Sequence, residues 1–244
     1  MSTSSSPRGI SPEEMGRLDR IASTRYGIPS LLLMENAGAA AFRHLASFAG
    51  SPAGRTVHIV GGKGNNGGDG WVVARHAHNA GFDVRSYILG KRSSIDDSSD
   101  PGINLSILEK MGIAPVEILE EDAASQTISA FRLDDIIVDG LLGTGLRGAV
   151  RGLALAAIEA MNASDARVLA LDVPSGLDAS TGEILGSAVQ ADLTVTFALS
   201  KTGHHRGAGP ALCGELFVEP ISIPREELEA SLSAQSDSPE PPGE

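Results

Sequence analysis

Three short segments of the chain combine glycine with polar side chains that could bind a small ligand. They are residues 61–70 (GGKGNNGGDG), 139–148 (DGLLGTGLRG) and 172–178 (DVPSGLD). Residues 62–67 and 143–148 both fit the pattern GxGxxG, in which backbone amides can approach a phosphate at the start of a helix. Arg147 adds a guanidinium group that could pair with phosphate. These residue types indicate a nucleotide-like anionic ligand.

Each of these segments follows a short apolar run that must position it. Such runs lack polar alternation and predict strands buried on both faces of a parallel sheet. They lie at 56–60, 84–89, 116–119, 135–138, 168–171, 193–197 and 216–218, and helix-like segments lie at 69–80, 103–111, 122–131 and 153–161. This alternation predicts an open α/β sheet with helices on both sides. Because the carboxyl ends of parallel strands share one edge, the three segments should converge on one site.

The composition excludes several classes of protein. Hydrophobic residues make up 41% of the 244 residues, which is enough for one well-buried core. The net charge of −12 argues against a nucleic-acid binder, which needs a surplus of Lys and Arg. The single cysteine, Cys213, excludes an intramolecular disulfide and a multi-thiolate metal site. No run of 18 apolar residues predicts a membrane span.

The two ends of the chain have the composition of disordered tails. Residues 1–9 are rich in serine, and residues 225–244 carry six acids and one base. We therefore predict one folded domain over residues 10–224 between two disordered ends. The expected location is cytoplasmic, and a short N-terminal segment for organellar targeting is left open.

A nicotinamide-dependent dehydrogenase is the first function that two GxGxxG segments suggest. Such a fold needs an acidic residue at the end of the next strand to bind the ribose. The predicted strand at 84–89 is followed by Gly90, Lys91 and Arg92 instead. Arg92 could bind the 2′-phosphate of NADP, so NADP is not excluded as a ligand. Hydride transfer is nevertheless disfavoured.

Five motifs in the expected order resemble the NAD(P)H-hydrate epimerase family, whose members are built on the YjeF N-terminal domain. They are residues 33–38 (LMENAG), 64–70, 138–145, 171–178 and 214–216 (GEL), and the resemblance spans roughly residues 10–224. It implies a Rossmann-like three-layer α/β/α sandwich with a mostly parallel central sheet. It also implies an isomerase that interconverts the R and S epimers of hydrated NADH or NADPH, so that a separate dehydratase can repair the cofactor. A homodimer is expected on the same basis.

The resemblance assigns site residues by motif. Substrate binding falls to Asn65, Asn66, Gly67, Gly68, Asp69, Gly143, Thr144, Gly145, Leu146, Arg147, Gly148, Ala149 and Asp172. One potassium ion per subunit would be held by Asn66, Asp139 and Ser175, whose hard oxygen ligands carry a single negative charge and suit a monovalent ion.

Epimerisation requires proton transfer, and two residues are candidates for it. Asp172 follows a buried strand, where its pKa could be tuned, although it could instead cap the turn that follows. Lys201 is the second candidate. Thr202 follows it where the family commonly has proline, so we expect a looser turn there. His204 and His205, beside Arg206, could contact phosphate, but we interpret them as part of a solvated loop.

Two alternatives to the epimerase are carried forward. One is a non-catalytic nucleotide-binding or interaction module with the same fold, because fold does not determine function. The other is an NADP-dependent oxidoreductase. The joint presence of Asn66, Asp139, Asp172 and Ser175 favours the epimerase, since a pure scaffold would not need all four.

Overall fold

The computed structural model describes residues 9–236, which form eight α-helices and seven β-strands. The helices are α1 (Pro12–Tyr26), α2 (Ser30–Ala49), α3 (Asn65–Asn79), α4 (Asp100–Lys110), α5 (Glu121–Ile128), α6 (Gly152–Ala163), α7 (Gly209–Leu212) and α8 (Arg225–Ser236). The strands are β1 (Thr56–Gly61), β2 (Asp83–Leu89), β3 (Val116–Ile118), β4 (Ile136–Gly140), β5 (Arg167–Leu171), β6 (Leu193–Phe197) and β7 (Glu215–Glu219). All seven predicted strands are present.

The seven strands form one parallel sheet in the order β3-β2-β1-β4-β5-β6-β7. The strand order reverses between β1 and β4, which lie side by side with Val57 opposite Ile136. In open α/β sheets this reversal point leaves a crevice beyond the carboxyl ends of the strands. The topology therefore places a ligand site after β1 and β4.

Side chains that alternate along the buried strands supply two separate hydrophobic cores, one on each face of the sheet. Along β4, Val138 belongs to the core beneath α1 to α4, whereas Ile137 belongs to the core beneath α5 and α6. The same alternation along β5 assigns Leu169 to the first core and Val168 to the second. These two cores give the three-layer α/β/α sandwich, so the predicted fold class is confirmed.

The first glycine-rich segment is part of a helix rather than a loop before one. We predicted a helix from residue 69, but α3 begins at Asn65. No glycine among residues 61–70 has a positive φ, and at every one of them except Gly64 an added Cβ would crowd a neighbouring atom. A Cβ at Gly67 would lie 2.1 Å from the carbonyl oxygen of Gly62, and one at Gly68 would lie 2.6 Å from Met34 Sδ. Only glycine lets the helix start so close to its neighbours.

The prediction of a disordered tail from residue 225 is wrong over residues 225–236, which form α8. This helix packs on α1 because Glu227 accepts hydrogen bonds from Arg25 Nη1 (2.6 Å) and Tyr26 Oη (3.0 Å). Ser231 Oγ also donates to Glu14 in α1. The predicted N-terminal tail, residues 1–9, is wrong at Gly9, which is buried and accepts a hydrogen bond from Thr202 Oγ1, whereas residues 1–8 and 237–244 lie outside the described residues. Within residues 9–236, no helix combines the length and apolar character that crossing a bilayer requires.

Candidate active site

A cleft of about 880 Å³ opens at the carboxyl ends of the central strands. Its volume is in the usual range for a small-molecule site. The predicted site residues that line it are Asn65, Asn66, Asp69, Gly143, Thr144, Gly145, Leu146, Arg147, Asp172 and Lys201. Met15 of α1 and Leu33 and Met34 of α2 add an apolar wall. The structure thus brings residues from all three glycine-bearing segments to one cavity.

Four of the predicted substrate-binding residues do not line this cleft. Gly67 and Gly68 are buried in the first turns of α3, where they allow the close packing described above. Gly148 and Ala149 are exposed beyond the loop that follows β4, and Gly148 has a φ of +71°. Their contribution is therefore to the shape of the backbone around the cleft.

Asp172 and Lys201 form a buried ion pair in the cleft. Lys201 is 1% exposed, and its Nζ donates to Asp172 Oδ1, to Thr196 Oγ1 at 2.9 Å and to the carbonyl oxygen of Phe197 at 3.1 Å. Thr196 Oγ1 in turn donates to Asp172 Oδ1 at 2.9 Å. Burial alone would raise the pKa of Asp172, but the charge and hydrogen bond of Lys201 outweigh it and lower the pKa. Asp172 is therefore an ionised carboxylate at neutral pH.

His204 fixes the backbone on which this pair is built, which corrects its interpretation as part of a solvated loop. It is 2% exposed, and its Nδ1 accepts a hydrogen bond from the Lys201 amide at 3.0 Å. Nε2 must then carry the proton and donate to the carbonyl oxygen of Asp172, 2.9 Å away. Burial lowers the pKa of His204 to about 4, so the ring is neutral. Asp172 has a φ of +62°, and His204 helps hold this strained conformation.

The turn at Lys201 is held more firmly than the loss of proline predicts. The Thr202 amide donates to the carbonyl oxygen of Ile10 at 2.9 Å, a bond that proline could not make. The Ile10 amide donates to the carbonyl oxygen of Ser200 at 2.8 Å, and Thr202 Oγ1 donates to the carbonyl oxygen of Gly9 at 2.9 Å. The N-terminal strap at Gly9 and Ile10 thus replaces the rigidity of a prolyl turn.

The three predicted potassium ligands meet at the loop that follows β4. Asp139 is fully buried and accepts hydrogen bonds from the Ser175 hydroxyl (2.6 Å) and the Ser175 amide (2.8 Å). Burial raises the pKa of Asp139 to about 6 in spite of these bonds. Asn66 Nδ2 donates to the carbonyl oxygen of Leu142 at 3.0 Å, while Asn66 Oδ1 is buried without a hydrogen-bond partner among the described residues.

The amide oxygen of Asn66 and the buried Asp139 carboxylate, which are linked through Ser175 and the Leu142 carbonyl group, are hard oxygen donors that suit a weakly held monovalent cation. The part of the chain that the structure describes contains no cluster of three His, Cys, Asp or Glu side chains suited to a metal ion. A divalent ion that needs several carboxylates therefore has no such set within residues 9–236.

Asp19 is a residue of the cleft that sequence reasoning missed. It lies on α1, four residues after Met15, and both line the cleft. Burial raises its pKa to about 6, with Lys201 opposing the shift and Asp172 adding to it. Burial, together with the charges of Asp172 and Asp19, also raises the pKa of Asp69 well above its usual range. The sequence signal was an acidic residue next to Leu18 on the apolar stripe of an amphipathic helix.

Arg92 does not serve the cleft, although it was considered for the 2′-phosphate of NADP. Its guanidinium group is held by Glu109, with Nε at 2.8 Å, and by Asp97, with Nη2 at 2.7 Å. It is absent from the residues that line the cleft. The oxidoreductase alternative therefore loses the residue on which it rested.

Comparison with known proteins gives a consistent picture. Residues 30–203 match the model of the family described as YjeF-related protein N-terminus. The NAD(P)H-hydrate epimerase of Pirellula staleyi is 40% identical over 212 residues, which cover 87% of this chain and 91% of that protein. The bifunctional NAD(P)H-hydrate repair enzyme Nnr of Moorella thermoacetica is 43% identical over 217 residues, covering 88% of this chain but 41% of that enzyme. The chain thus spans about two fifths of the bifunctional relative.

A solved structure shows a similar fold. The crystal structure of the yeast protein ynu0 superposes with a TM-score of 0.76 at 20% sequence identity, over 92% of this chain and 93% of that one. At this identity the likeness concerns the fold alone.

Proposed function

Since the chain belongs to the YjeF-related N-terminal family, we propose that it is an NAD(P)H-hydrate epimerase that interconverts the R and S epimers of hydrated NADH or NADPH. The observation that carries the proposal is the ionised Asp172 paired with buried Lys201 in a nucleotide-sized cleft. The family resemblance predicted from five motifs is confirmed by the match over residues 30–203. The reaction is an isomerisation in the repair of damaged cofactor.

Asp172 supplies the proton acceptor. The hydrogen bonds that the described residues give to its carboxylate, from Lys201, Thr196 and the Phe197 amide, all reach Oδ1. This leaves Oδ2 for a substrate that enters the cleft. The substrate carries its hydroxyl group on a carbon beside a ring nitrogen, and inversion of that carbon requires a proton to be moved. Lys201 keeps the carboxylate ionised and oriented, and its ammonium group is the alternative proton donor.

The start of α3 and Arg147 supply the binding site for the substrate's phosphates. Gly64 is the N-cap of α3, and no side chain caps this helix. Both Gly64 and Asn65 line the cleft, so the amides at this helix start would donate to the substrate's phosphates. Arg147 contributes a positive charge from the loop after β4. An acidic protein can bind a dinucleotide in this way because the binding groups are local.

We propose that one potassium ion per subunit is held by Asn66, Asp139 and Ser175. The orphaned Asn66 Oδ1 and the buried Asp139 carboxylate support this assignment. A bound monovalent cation would supply positive charge that keeps Asp139 ionised and fixes the loop that begins at Leu141. The chain's own contribution is the set of hydrogen bonds that already positions Ser175 against Asp139.

We further propose two partners and a location. The epimerase would work with a dehydratase that consumes one epimer, which agrees with the bifunctional repair enzymes being more than twice as long as the matched region. A homodimer and a cytoplasmic location remain predictions from the family resemblance.

The test uses one purified epimer of hydrated NADPH. Wild-type protein and Asp172→Asn are incubated with it in buffers containing K⁺ or tetramethylammonium, and R/S composition is followed by chromatography. We expect wild type with K⁺ to accelerate interconversion above the spontaneous rate and Asp172→Asn to lose most of that acceleration. The proposal fails if the wild type gives no acceleration in either buffer.

A further inference from the structure

Asp19 places a second reactive carboxyl group in the cleft, on a different wall from Asp172. It projects from α1, whereas Asp172 and Lys201 lie beyond the carboxyl ends of the strands. The described residues give its carboxylate no hydrogen bond and no ion pair. A partly buried acid in a structural role would be paired, because burying an unpaired charge costs free energy. An unpaired carboxyl group that faces a substrate cleft therefore calls for a functional reason.

The position of Asp19 is fixed by the fold around it. The α1 helix is capped by Ser11, whose Oγ accepts from the Glu14 amide at 3.2 Å. Just before it, Ile10 forms a bridge with Lys201. On the outer side α8 contacts α1 through Glu227. The strap that orders the turn at Lys201 therefore also sets the distance between Asp19 and the Asp172–Lys201 pair.

We propose that Asp19 is a second proton-transfer residue for the epimerisation and acts on the face of the substrate ring that is turned toward α1. The inference rests on the proposed function. When the carbon inverts by loss and return of water, the old hydroxyl group leaves one face and the new one arrives on the other. One carboxyl group serves one face, so a two-walled arrangement of carboxyl groups matches the geometry of the reaction.

The step balances without an oxidant or reductant. When the hydroxyl group faces α1, the carbon–oxygen bond breaks while the ring-nitrogen lone pair forms a carbon–nitrogen double bond. The proton of the Asp19 carboxyl group passes to the leaving oxygen, which departs as water. A water molecule forms the new carbon–oxygen bond on the other face, the electron pair returns to nitrogen, and the released proton passes to Asp172. The two carboxyl groups exchange roles in the reverse direction, and solvent restores their protons.

The charges around the two carboxyl groups suit opposite roles. Lys201 lowers the pKa of Asp172, whereas burial and the Asp172 charge raise that of Asp19 to about 6. Two neighbouring carboxyl groups whose surroundings shift their pKa values in opposite directions are typical of a catalytic acid and base. The other charged groups that face Asp19 are Asp69 from α3 and Arg20 on its own helix. Asp69 is the less suitable acid, because it is more deeply buried and exchanges its proton with solvent less readily.

The test compares Asp19→Asn with Asp122→Asn, which makes the same chemical change at an exposed position of α5 outside the cleft. The rate of epimer interconversion is measured from pH 5 to 8 at several substrate concentrations. We expect Asp19→Asn to lower kcat by about 100-fold or more, in line with a general acid–base group, and to change KM by less than threefold. The pH dependence near pH 6 should disappear with it, while Asp122→Asn behaves as wild type.

Asp19→Ser is measured in parallel, so that a folding defect in one variant does not decide the result; circular dichroism reports folding of both. The inference is overturned if a folded Asp19 variant keeps kcat within threefold of wild type, or if only KM changes. It is also overturned if Asp69→Asn, and not Asp19→Asn, removes the pH dependence. If wild type itself does not interconvert the epimers, the proposed function fails instead, so the two failures are distinguishable.

Discussion

Replacing Asp172 with asparagine tests the buried ion pair both as a structural and as a catalytic feature. The change keeps the shape of the side chain and removes the negative charge opposite Lys201. The Lys201 ammonium would retain Thr196 Oγ1 at 2.9 Å and the Phe197 carbonyl oxygen at 3.1 Å, but it would lose its counter-ion. The positive φ of residue 172 does not confound the result, because asparagine tolerates this conformation as well as aspartate does.

The size of the effect can be bounded. Removing one partner of a buried ion pair costs about 3–5 kcal/mol of unfolding free energy. We therefore expect Asp172→Asn to lose about 3–5 kcal/mol of unfolding free energy. For a protein of this size that corresponds to a fall in Tm of roughly 6–20 °C.

The pH dependence of this stability loss follows from the lowered pKa of Asp172. The contribution of its carboxylate is fully present above the pKa of about 3.9 in the unfolded state and is lost as the pH falls through the lower pKa of the folded state. The gap in stability between wild type and Asp172→Asn should therefore be constant near neutral pH and shrink in acid. Thermal unfolding followed by circular dichroism at pH 7 and in acid measures it.

A double variant separates the unpaired charge from other effects of the substitution. Adding Lys201→Met to Asp172→Asn removes the unpaired ammonium group, so most of the lost stability should return while epimerisation stays at least as slow as in Asp172→Asn. The reasoning is refuted if Asp172→Asn melts within 2 °C of wild type, or if the double variant melts below the single one.

Three further predictions concern the same cleft. Gly67→Ala should destabilise the fold by about 1–3 kcal/mol and weaken substrate binding, because its Cβ would lie 2.1 Å from the Gly62 carbonyl oxygen; unchanged Tm and KM would contradict the packing role. Burial lowers the pKa of folded His204 to about 4, so the unfolded state takes up this proton at higher pH and wild type loses unfolding free energy between pH 6.5 and pH 4. His204→Asn should make that loss smaller, and an equal loss in wild type and variant would contradict the prediction. Arg147→Gln should raise KM several-fold while changing unfolding free energy by less than about 0.5 kcal/mol, because this side chain is 70% exposed; an unchanged KM would remove it from the phosphate site.

Much of the architecture could be predicted because short stretches of sequence determine it. Buried parallel strands produce uninterrupted apolar runs, so all seven could be located, and their common direction implied that residues such as Asn66, Gly143 and Asp172 would meet at one edge. Motif order then indicated the family.

The misses share a different physical cause, which is contact between segments far apart in the chain. α8 looked like a charged tail because the partners of Glu227, which are Arg25 and Tyr26, lie about two hundred residues away. His204 looked solvated because its burial depends on the Asp172 carbonyl group. Asp19 was not predicted as a site residue because it becomes one only through a cleft that other elements form. No local window of sequence contains these contacts.

The central claim is that this cleft interconverts two epimers without consuming either. The most direct measurement starts two reactions with wild-type protein and K⁺, one from the pure R epimer and one from the pure S epimer of hydrated NADPH, and follows both by chromatography. The account predicts that both reactions reach the same R/S ratio, faster than the protein-free controls, and that no NADPH forms. Rates equal to the controls from both starting epimers, or conversion of either epimer to a third product, would contradict it.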